Sequence, residues 1–469
     1  MTLFEGLEKF GDQISLLETD REPVTYKQLV EISDEIASRI NRRSLVFCLT
    51  SNISENVIGY VGLQRAGHVC LMLASKIDDI KLDDLVRRFE PNFIWAPNSD
   101  ELNAHYESFF SYGRYSLYSV SLRNHDLNPE LSLLMGTSGS TGSPMMVRQS
   151  SKNLKSNAAS IIQSLELDHR DRAITTLPMN YTYGLSIINS QLLVGGSLVM
   201  SDATLMERAF WDQINSCEPT YFGGVPYTYE MLNRIGIKKL NGTSIRMLTQ
   251  AGGKLKSELV AKISSECTSL NIKFYVMYGQ TEATARMSVL PWNEVHKHPE
   301  SIGRPIPGGS FRIVDIESGV EVPSGSVGEL VYAGPNVALG YANSWSDLAR
   351  DDDFKQILQT GDLAKTDADE LVYIVGRKKR FIKIFGNRIN LDDIDNFLSA
   401  KNLETVSTGR DDHLIVNVVS EDESIPVVDE VARFLGIHKS AISVNRIRQI
   451  PRNESGKVLF SELEQSSEQ

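Results

Sequence analysis

Residues 135 to 148 of this chain, Met-Gly-Thr-Ser-Gly-Ser-Thr-Gly-Ser-Pro-Met-Met-Val-Arg, gather hydroxyls and glycines behind an apolar run, Leu131 to Met135, that reads as a short buried strand. Thr137, Ser138, Ser140 and Thr141 offer hydroxyls, and Gly139 and Gly142 let the backbone come close to a ligand. Many donors in a small space suit a polyphosphate. No Gly-Lys-Ser/Thr ending follows, so this is not a Walker loop, and taken alone the stretch reads equally well as a surface loop. Further along come Ala-Gly-Gly-Lys at 251 to 254, Met-Tyr-Gly-Gln-Thr-Glu at 277 to 282, Thr-Gly-Asp at 360 to 362, Gly-Arg-Lys-Lys-Arg-Phe-Ile-Lys at 376 to 383, and Asn-Glu-Ser-Gly-Lys at 453 to 457. Singly, each has a plain alternative. Asp362 could be a turn residue, Glu282 a charge at a helix start, and Lys457 a solvated lysine near a chain end.

In this order and at these separations the set resembles the adenylate-forming superfamily of acyl-CoA synthetases, carrier-protein ligases, peptide-synthetase adenylation domains and firefly luciferase, most of all the bacterial stand-alone AMP-dependent synthetases. The resemblance runs from about Tyr26 to Lys457. It implies an α/β fold: a large N-terminal domain, 1–378, of mainly parallel sheets flanked by helices, and a small mobile α+β C-terminal domain, 379–469. It implies that Thr137, Ser138, Gly139, Ser140, Thr141 and Gly142 cradle the β- and γ-phosphates of ATP. Gly252, Gly253 and Lys254 with Tyr278 would frame the adenine, and Gly279 and Gln280 belong to the same nucleotide site. Thr281 would contact the α-phosphate, and Glu282 would help hold Mg²⁺. Asp362 would accept from the ribose hydroxyls with Arg377 alongside. Lys457 would serve the first half-reaction and Lys383 the second, with Lys379 as the hinge. Tyr181, Tyr183, Gly184 and Val225 would line the substrate pocket.

The chemistry that needs such a set is the activation of a carboxylate. A carboxylate is a poor acyl donor, because its leaving group would be oxide or hydroxide. Adenylation replaces that leaving group with AMP and releases pyrophosphate. A thiol can then take the acyl group. The implied protein is an ATP-dependent acid–thiol ligase for a small or medium carboxylic acid, with CoA or a phosphopantetheinyl carrier protein as acceptor. Two competing readings are an amino-acid carrier ligase of the D-alanine type and a catalytically silent nucleotide-binding homologue. Amino-acid-activating members place an aspartate in the acyl loop, and Asn180 to Ser186 contains no carboxylate. Met145 stands where the family's phosphate loop normally has lysine, which favours the silent reading; the nearest replacement cation in sequence is Arg148. Tyr181 stands where many acyl-CoA synthetases have histidine.

The elements that must position these residues alternate. Thr25 opens a helix with Leu29, Ile32, Ile36 and Ile40 on one face, Ser44 to Thr50 reads as a buried strand, and Val57 to Ala66 as a helix. This alternation favours parallel sheets covered by helices. A helix with Leu154, Ala158, Ile162 and Leu165 on one face follows the hydroxyl-rich loop, capped by Ser150 or Ser151. Another spans Ser186 to Val194 after the tyrosine-rich segment 177–185. Tyrosines there and in Val-Pro-Tyr-Thr-Tyr at 225 to 229 fit either a pocket or a core. Past 376, Phe381 to Phe385 reads as a strand with Lys383 on one face, Asn390 caps a helix, and strands at 414–419 and 443–450 flank a helix at 427–435.

At 469 residues the chain is long enough for two or more domains. A net charge of −12 argues against nucleic acid as a main partner. Cys48, Cys70, Cys217 and Cys267 lie far apart, against a zinc site or a disulfide scaffold and in favour of reduced, buried thiols in a cytoplasmic protein. No stretch reaches the roughly 18 apolar residues of a membrane helix, and the first residues lack a signal-peptide pattern.

Overall fold

The computed structural model describes residues 2–121, 123, 125–136, 145–385, 387–420, 422, 425–452 and 458–465. The chain packs as two compact units. One takes the N-terminal stretch, 144–310 and 332–358; the other takes 311–331 and 359–469. This grouping places 311–331 and 359–378 with the C-terminal residues, not with 1–310.

The larger unit holds a nine-stranded and an eight-stranded sheet. In the nine-stranded sheet, Ile14–Glu18, Ser197–Met200, Arg172–Ile174, Tyr221–Gly224, Met247–Gln250 and Lys273–Tyr278 run parallel, in that spatial order. Antiparallel strands Ser288–Leu290 and Arg304–Pro305 extend one margin. The eight-stranded sheet has a parallel centre, Leu131–Gly136, Val69–Ala74, Leu45–Thr50 and Phe93–Pro97, again with antiparallel margins. Parallel strands buried on both faces read as continuous apolar runs. Leu45–Thr50 is buried at every position.

Local signals set the helices. Thr25 and Gln28 form a reciprocal capping box at the start of Tyr26–Ser38. Ser150 and Asn153 do the same for Ser151–Leu165, which buries Leu154, Ala158, Ile161 and Leu165; Ile162 is only partly buried and packs at the edge of the core. A strand, Met146–Ser150, precedes this helix. It returns antiparallel to Leu131–Gly136, with Gly136 opposite Met146, so the hydroxyl-rich segment connects two adjacent strands. Helix Thr182–Val194 starts four residues earlier than its apolar periodicity suggests and takes Thr182, Tyr183 and Gly184 into its first turn. Cys48, Cys70 and Cys267 are buried, Cys217 is partly exposed, and all four are free thiols.

The smaller unit contains a four-stranded sheet (Ser310–Val314, Gly328–Ala333, Ile357–Thr366, Val372–Arg377), the hairpin Phe381–Ile384 with Asn387–Asn390, and a three-stranded sheet of Thr405–Arg410, His413–Val419 and Ile442–Ile447. Helices Leu391–Ser399 and Val427–Leu435 pack on it around Ile382, Ile384, Ile394, Leu398, Val416 and Val431. Asn390 caps the first helix by accepting from the Asp392 backbone N–H. No helix among the described residues is long and apolar enough to cross a membrane.

Candidate active site

Four of the parallel strands of the nine-stranded sheet end side by side, at Ile174, Gly224, Gln250 and Tyr278. Open parallel sheets bind ligands beyond the carboxyl ends of their strands. The sequence places the tyrosine-rich segment after the first of these ends, Val225 after the second, Ala-Gly-Gly-Lys after the third and Gly-Gln-Thr-Glu after the fourth.

Side chains lock these loops to one another. Thr176 Oγ1 donates to the Gly223 carbonyl. The hydroxyls of Thr182 and Thr281 lie 3.0 Å apart, and Gln149 Nε2 donates to the Thr281 carbonyl at 2.9 Å. Tyr341 OH donates to Glu282 Oε1 at 2.8 Å, and the Glu282 carbonyl accepts from Ala338 N–H, also at 2.8 Å. Burial and the Glu282 carboxylate push the Tyr341 phenol well above its ordinary pKa, so it stays a donor. Gly252 has φ +85°, and a Cβ there would stand 2.4 Å from Tyr181 OH and 3.1 Å from Val225 Cγ1. Tyr181, Val225 and the Ala-Gly-Gly-Lys loop therefore meet at a point where only glycine fits. Gln250 Nε2 holds the Gly253 carbonyl at 2.9 Å, and Lys254 is exposed.

The Gly-Gln-Thr-Glu turn is fixed from below. A Cβ on Gly279 would meet the Ala285 carbonyl oxygen at 1.5 Å, a backbone clash with no side chain free to yield. Thr284 and Ala285 both adopt positive φ, 59° and 127°. This strained backbone is held by Thr284 Oγ1 donating to the Asn336 carbonyl at 2.7 Å and by Asn336 Nδ2 donating to the Ala283 and Arg286 carbonyls at 2.8 and 2.9 Å. Gln280 Nε2 donates to Tyr278 OH at 3.2 Å.

Tyr183 is buried, and its hydroxyl lies 2.7 Å from the Thr249 carbonyl and 2.8 Å from Thr249 Oγ1. Its ring lies 4.1 Å beneath the guanidinium of Arg286. Arg286 is 2% exposed, and its Nε donates to Met277 Sδ at 3.1 Å. Sequence reasoning passed over Arg286, although a single cation within Ala-Thr-Ala-Arg-Met-Ser-Val was visible there. It also passed over Gln149, Asn336 and Tyr341, whose partners lie 50 or more residues away.

Arg148 does not serve as a replacement for the loop lysine. It is completely buried. Its guanidinium donates to the carbonyls of Arg350 (2.5 Å), Leu339 (3.0 Å) and Asp351 (3.0 Å), and to Asp353 Oδ2 (2.7 Å). Thr137, Ser138, Gly139, Ser140, Thr141, Gly142 and Lys457 lie outside the described residues, as does the side chain of Lys379.

In the smaller unit, Asp362 is 2% exposed and accepts from Arg377 Nε at 3.0 Å across the strand pair that sets the two residues opposite each other. The Arg377 side chain remains largely exposed. Lys383 is exposed on its strand, with backbone N–H and carbonyl tied to Asp411 and Asp412. Arg380 bridges Asp392 at 2.5 Å and Asp395 at 2.6 Å.

A family model described as "AMP-binding enzyme" matches residues 3–342. The chain belongs to this family of AMP-binding enzymes. Among its relatives, the sulfoacetate–CoA ligase of Cupriavidus necator is 28% identical over 341 residues, covering 70% of this chain and 65% of that protein. The 2-succinylbenzoate–CoA ligase of Enterococcus faecalis is 26% identical over 339 residues, covering 69% and 67%. The chain thus spans about two thirds of the length of the curated relatives it matches. Among solved structures, o-succinylbenzoate CoA synthetase (MenE) from Bacillus subtilis in complex with an acyl-adenylate intermediate superposes with a TM-score of 0.79 at 21% identity, covering 98% of this chain and 97% of that one. ATP-bound MatB from Rhodopseudomonas palustris gives 0.78 at 21% identity, with 99% of each chain covered. These likenesses establish the fold: a mixed α/β architecture with a large N-terminal and a small C-terminal part.

Proposed function

We propose that this protein is an AMP-forming acid–thiol ligase. The observation that supports the reading is the Thr182–Thr281 hydroxyl contact of 3.0 Å, which ties the tyrosine-rich loop to the Gln-Thr-Glu turn; on this reading the first would bind the acid and the second the phosphate. In the first step a carboxylate oxygen of the acid attacks the α-phosphorus of ATP; the bond to the bridging oxygen breaks and pyrophosphate leaves. In the second step a thiol sulfur attacks the acyl carbon, AMP leaves, and the thiol proton passes to solvent. Thr281 orients the α-phosphate, and its own hydroxyl is oriented by Thr182. Held positions of this kind lower the barrier through orientation and preset electrostatics.

Glu282 is the residue that would hold Mg²⁺. Among the described residues no cluster of three or more His, Cys, Asp or Glu could cage a metal alone. One carboxylate fits Mg²⁺, which keeps several waters and takes its remaining ligands from nucleotide phosphates. When bound, Mg²⁺ would neutralise phosphate charge. Asp362 with Arg377 would hold the ribose, Ala-Gly-Gly-Lys and Tyr278 the adenine, and Thr137 to Gly142 the outer phosphates. Lys457 would act in adenylation, Lys383 in thioester formation, and Lys379 as the hinge at the 378/379 boundary of a mobile C-terminal domain. The acceptor is CoA or a carrier-protein phosphopantetheine, and the protein works in the cytoplasm.

ATP–pyrophosphate exchange over a panel of acids tests the first step; loss of free thiol from CoA or from a loaded carrier protein tests the second. Acid-dependent exchange is expected. Its absence with every acid, alongside retained AMP binding, would instead support a nucleotide-binding protein without turnover.

A further inference from the structure

Arg286 carries a full charge into the interior beside the candidate site, and among the described residues no carboxylate meets it there. Among the described residues, the only ionisable groups that favour its charged form are the phenols of Tyr183, Tyr181 and Tyr221. Burial holds all three phenols above their ordinary pKa, so they are neutral near pH 7 and leave the guanidinium uncompensated. Arg148, likewise buried, is paired with Asp353, and Arg65 with Asp34 and Glu8. Glu282, the acid four residues before it in sequence, is engaged by Tyr341. A buried charge without a partner is costly, and a fold that keeps one gains when an anion arrives.

Its place in the fold says which anion. Arg286 stands two residues before the strand Ser288–Leu290, whose Ser288 pairs with Tyr278. It therefore lies at the same carboxyl edge as the Gln-Thr-Glu turn. The ring it covers belongs to Tyr183, and the neighbouring Thr182 touches Thr281. The guanidinium and the phosphate-contacting threonine thus flank one short helical turn.

We propose that Arg286 recognises a second anionic group on the acid substrate, so that this protein activates dianionic acids: one carboxylate reacts and a carboxylate or sulfonate at the far end pairs with Arg286. The proposal rests on the ligase reading above and narrows its substrate class. It also accounts for Asn180–Ser186, where nothing would balance a substrate ammonium and Arg286 would repel one. A guanidinium fits both anions through paired N–H donors.

The test uses matched acids, butyrate against succinate and propionate against 3-sulfopropionate, in two assays on the full chain: ATP–pyrophosphate exchange, and calorimetric binding of the acid to protein preloaded with AMP. Wild type should prefer the dianion at least tenfold in exchange kcat/KM. Arg286→Gln should lose roughly a hundredfold on the dianion while the monoanion changes less than threefold. Wild-type preference alone decides if that variant fails to fold, and Arg286→Lys, which keeps the charge, should retain part of it. A wild type that favours butyrate, or an Arg286→Gln that weakens both acids equally, overturns the proposal and leaves the ligase reading standing. Succinate binding that depends on Arg286 without exchange for any acid upholds Arg286 as the group that recognises the second anion, and overturns both the ligase reading and the activation step built on it. No binding and no exchange overturns both.

Discussion

Two arginines are buried in the larger unit within reach of the candidate site, and they are buried on opposite terms. Arg148 gives its guanidinium to three carbonyls and the Asp353 carboxylate, leaving only Nε without an acceptor. Arg286 has one side-chain hydrogen bond among the described residues, to a methionine sulfur, and an aromatic face beneath it. The first is a strut. It fastens the strand Met146–Ser150 to the segment 339–353, and that register, Tyr341 opposite Val147, sets Tyr341 against Glu282. The second is a charge held in reserve. Burial depth is the same for both; the inventory of acceptors separates structural from functional cations.

The largest effect should follow removal of the strut. Arg148→Met removes four hydrogen bonds made by a fully buried guanidinium; Arg350 still pairs with Asp353 at 2.9 Å and Asn128 still donates to the Arg350 carbonyl, so the expected cost is about 3 kcal/mol, the low end for a broken buried pair. Urea unfolding followed by circular dichroism should show that loss. A change under about 1 kcal/mol would mean the contacts around Arg148 are replaceable by water, and the contrast with Arg286 would collapse.

A third cation, Lys457, supplies a different contrast, since its proposed role is in turnover. Lys457→Ala should slow acyl-adenylate formation roughly a hundredfold while leaving unfolding unchanged, the scale for one preset electrostatic donor. Transfer from supplied acyl-adenylate to thiol should survive. Exchange within a few-fold of wild type would remove Lys457 from the first step.

How much of this was legible beforehand follows the range of the interactions. Capping at Thr25 and Ser150 was readable because both partners lie within three residues. The alternation of strand and helix was readable because burial on both sheet faces demands apolar runs. The strand Met146–Ser150 was not: Arg148 and Gln149 are polar yet buried, and their partners Asp353 and the Thr281 carbonyl are groups that only the fold brings near. The early start of helix Thr182–Val194 was hidden for a related reason, since Thr182 and Tyr183 read as loop residues until Thr281 and Thr249 are seen beside them. The order of motifs identified the Gln-Thr-Glu turn, while its supports, Asn336 and Tyr341, lie over 50 residues downstream in a stretch with no motif of its own. Arg286 was missed because a lone arginine is ordinarily solvated, and only burial without an acid distinguishes it.

Tyr341→Phe probes the strut's consequence at smaller scale. It removes the hydroxyl that orients Glu282 and leaves the packing of the ring against Phe354 in place. Groups that orient a metal-binding carboxylate are worth about 10- to 100-fold in metal affinity. The expected result is a roughly tenfold higher Mg²⁺ requirement for exchange at similar kcat. An unchanged Mg²⁺ titration would detach Tyr341 from Glu282's role.

The smallest effect on stability is expected where the buried charge has least to lose. Arg286→Met exchanges an uncompensated guanidinium for an apolar chain of similar length beside Met277 and three tyrosines. What is lost is one weak bond to sulfur and a cation–π contact of about 0.5–2 kcal/mol. What is relieved is the desolvation of a full charge, and replacing buried ionic groups by apolar ones of similar volume is often neutral or stabilising. The two effects offset, so urea unfolding should differ from wild type by less than about 1 kcal/mol, against the several lost in Arg148→Met. The same substitution at two equally buried arginines then separates a charge that holds the fold from one that waits for a ligand. Adding succinate should sharpen the contrast. A ligand that binds only the native state raises stability with its concentration, so succinate should raise the midpoint of wild type and Arg148→Met alike and leave Arg286→Met unmoved. A loss of several kcal/mol in Arg286→Met would make Arg286 a second strut, its aromatic cage sufficient to offset its charge.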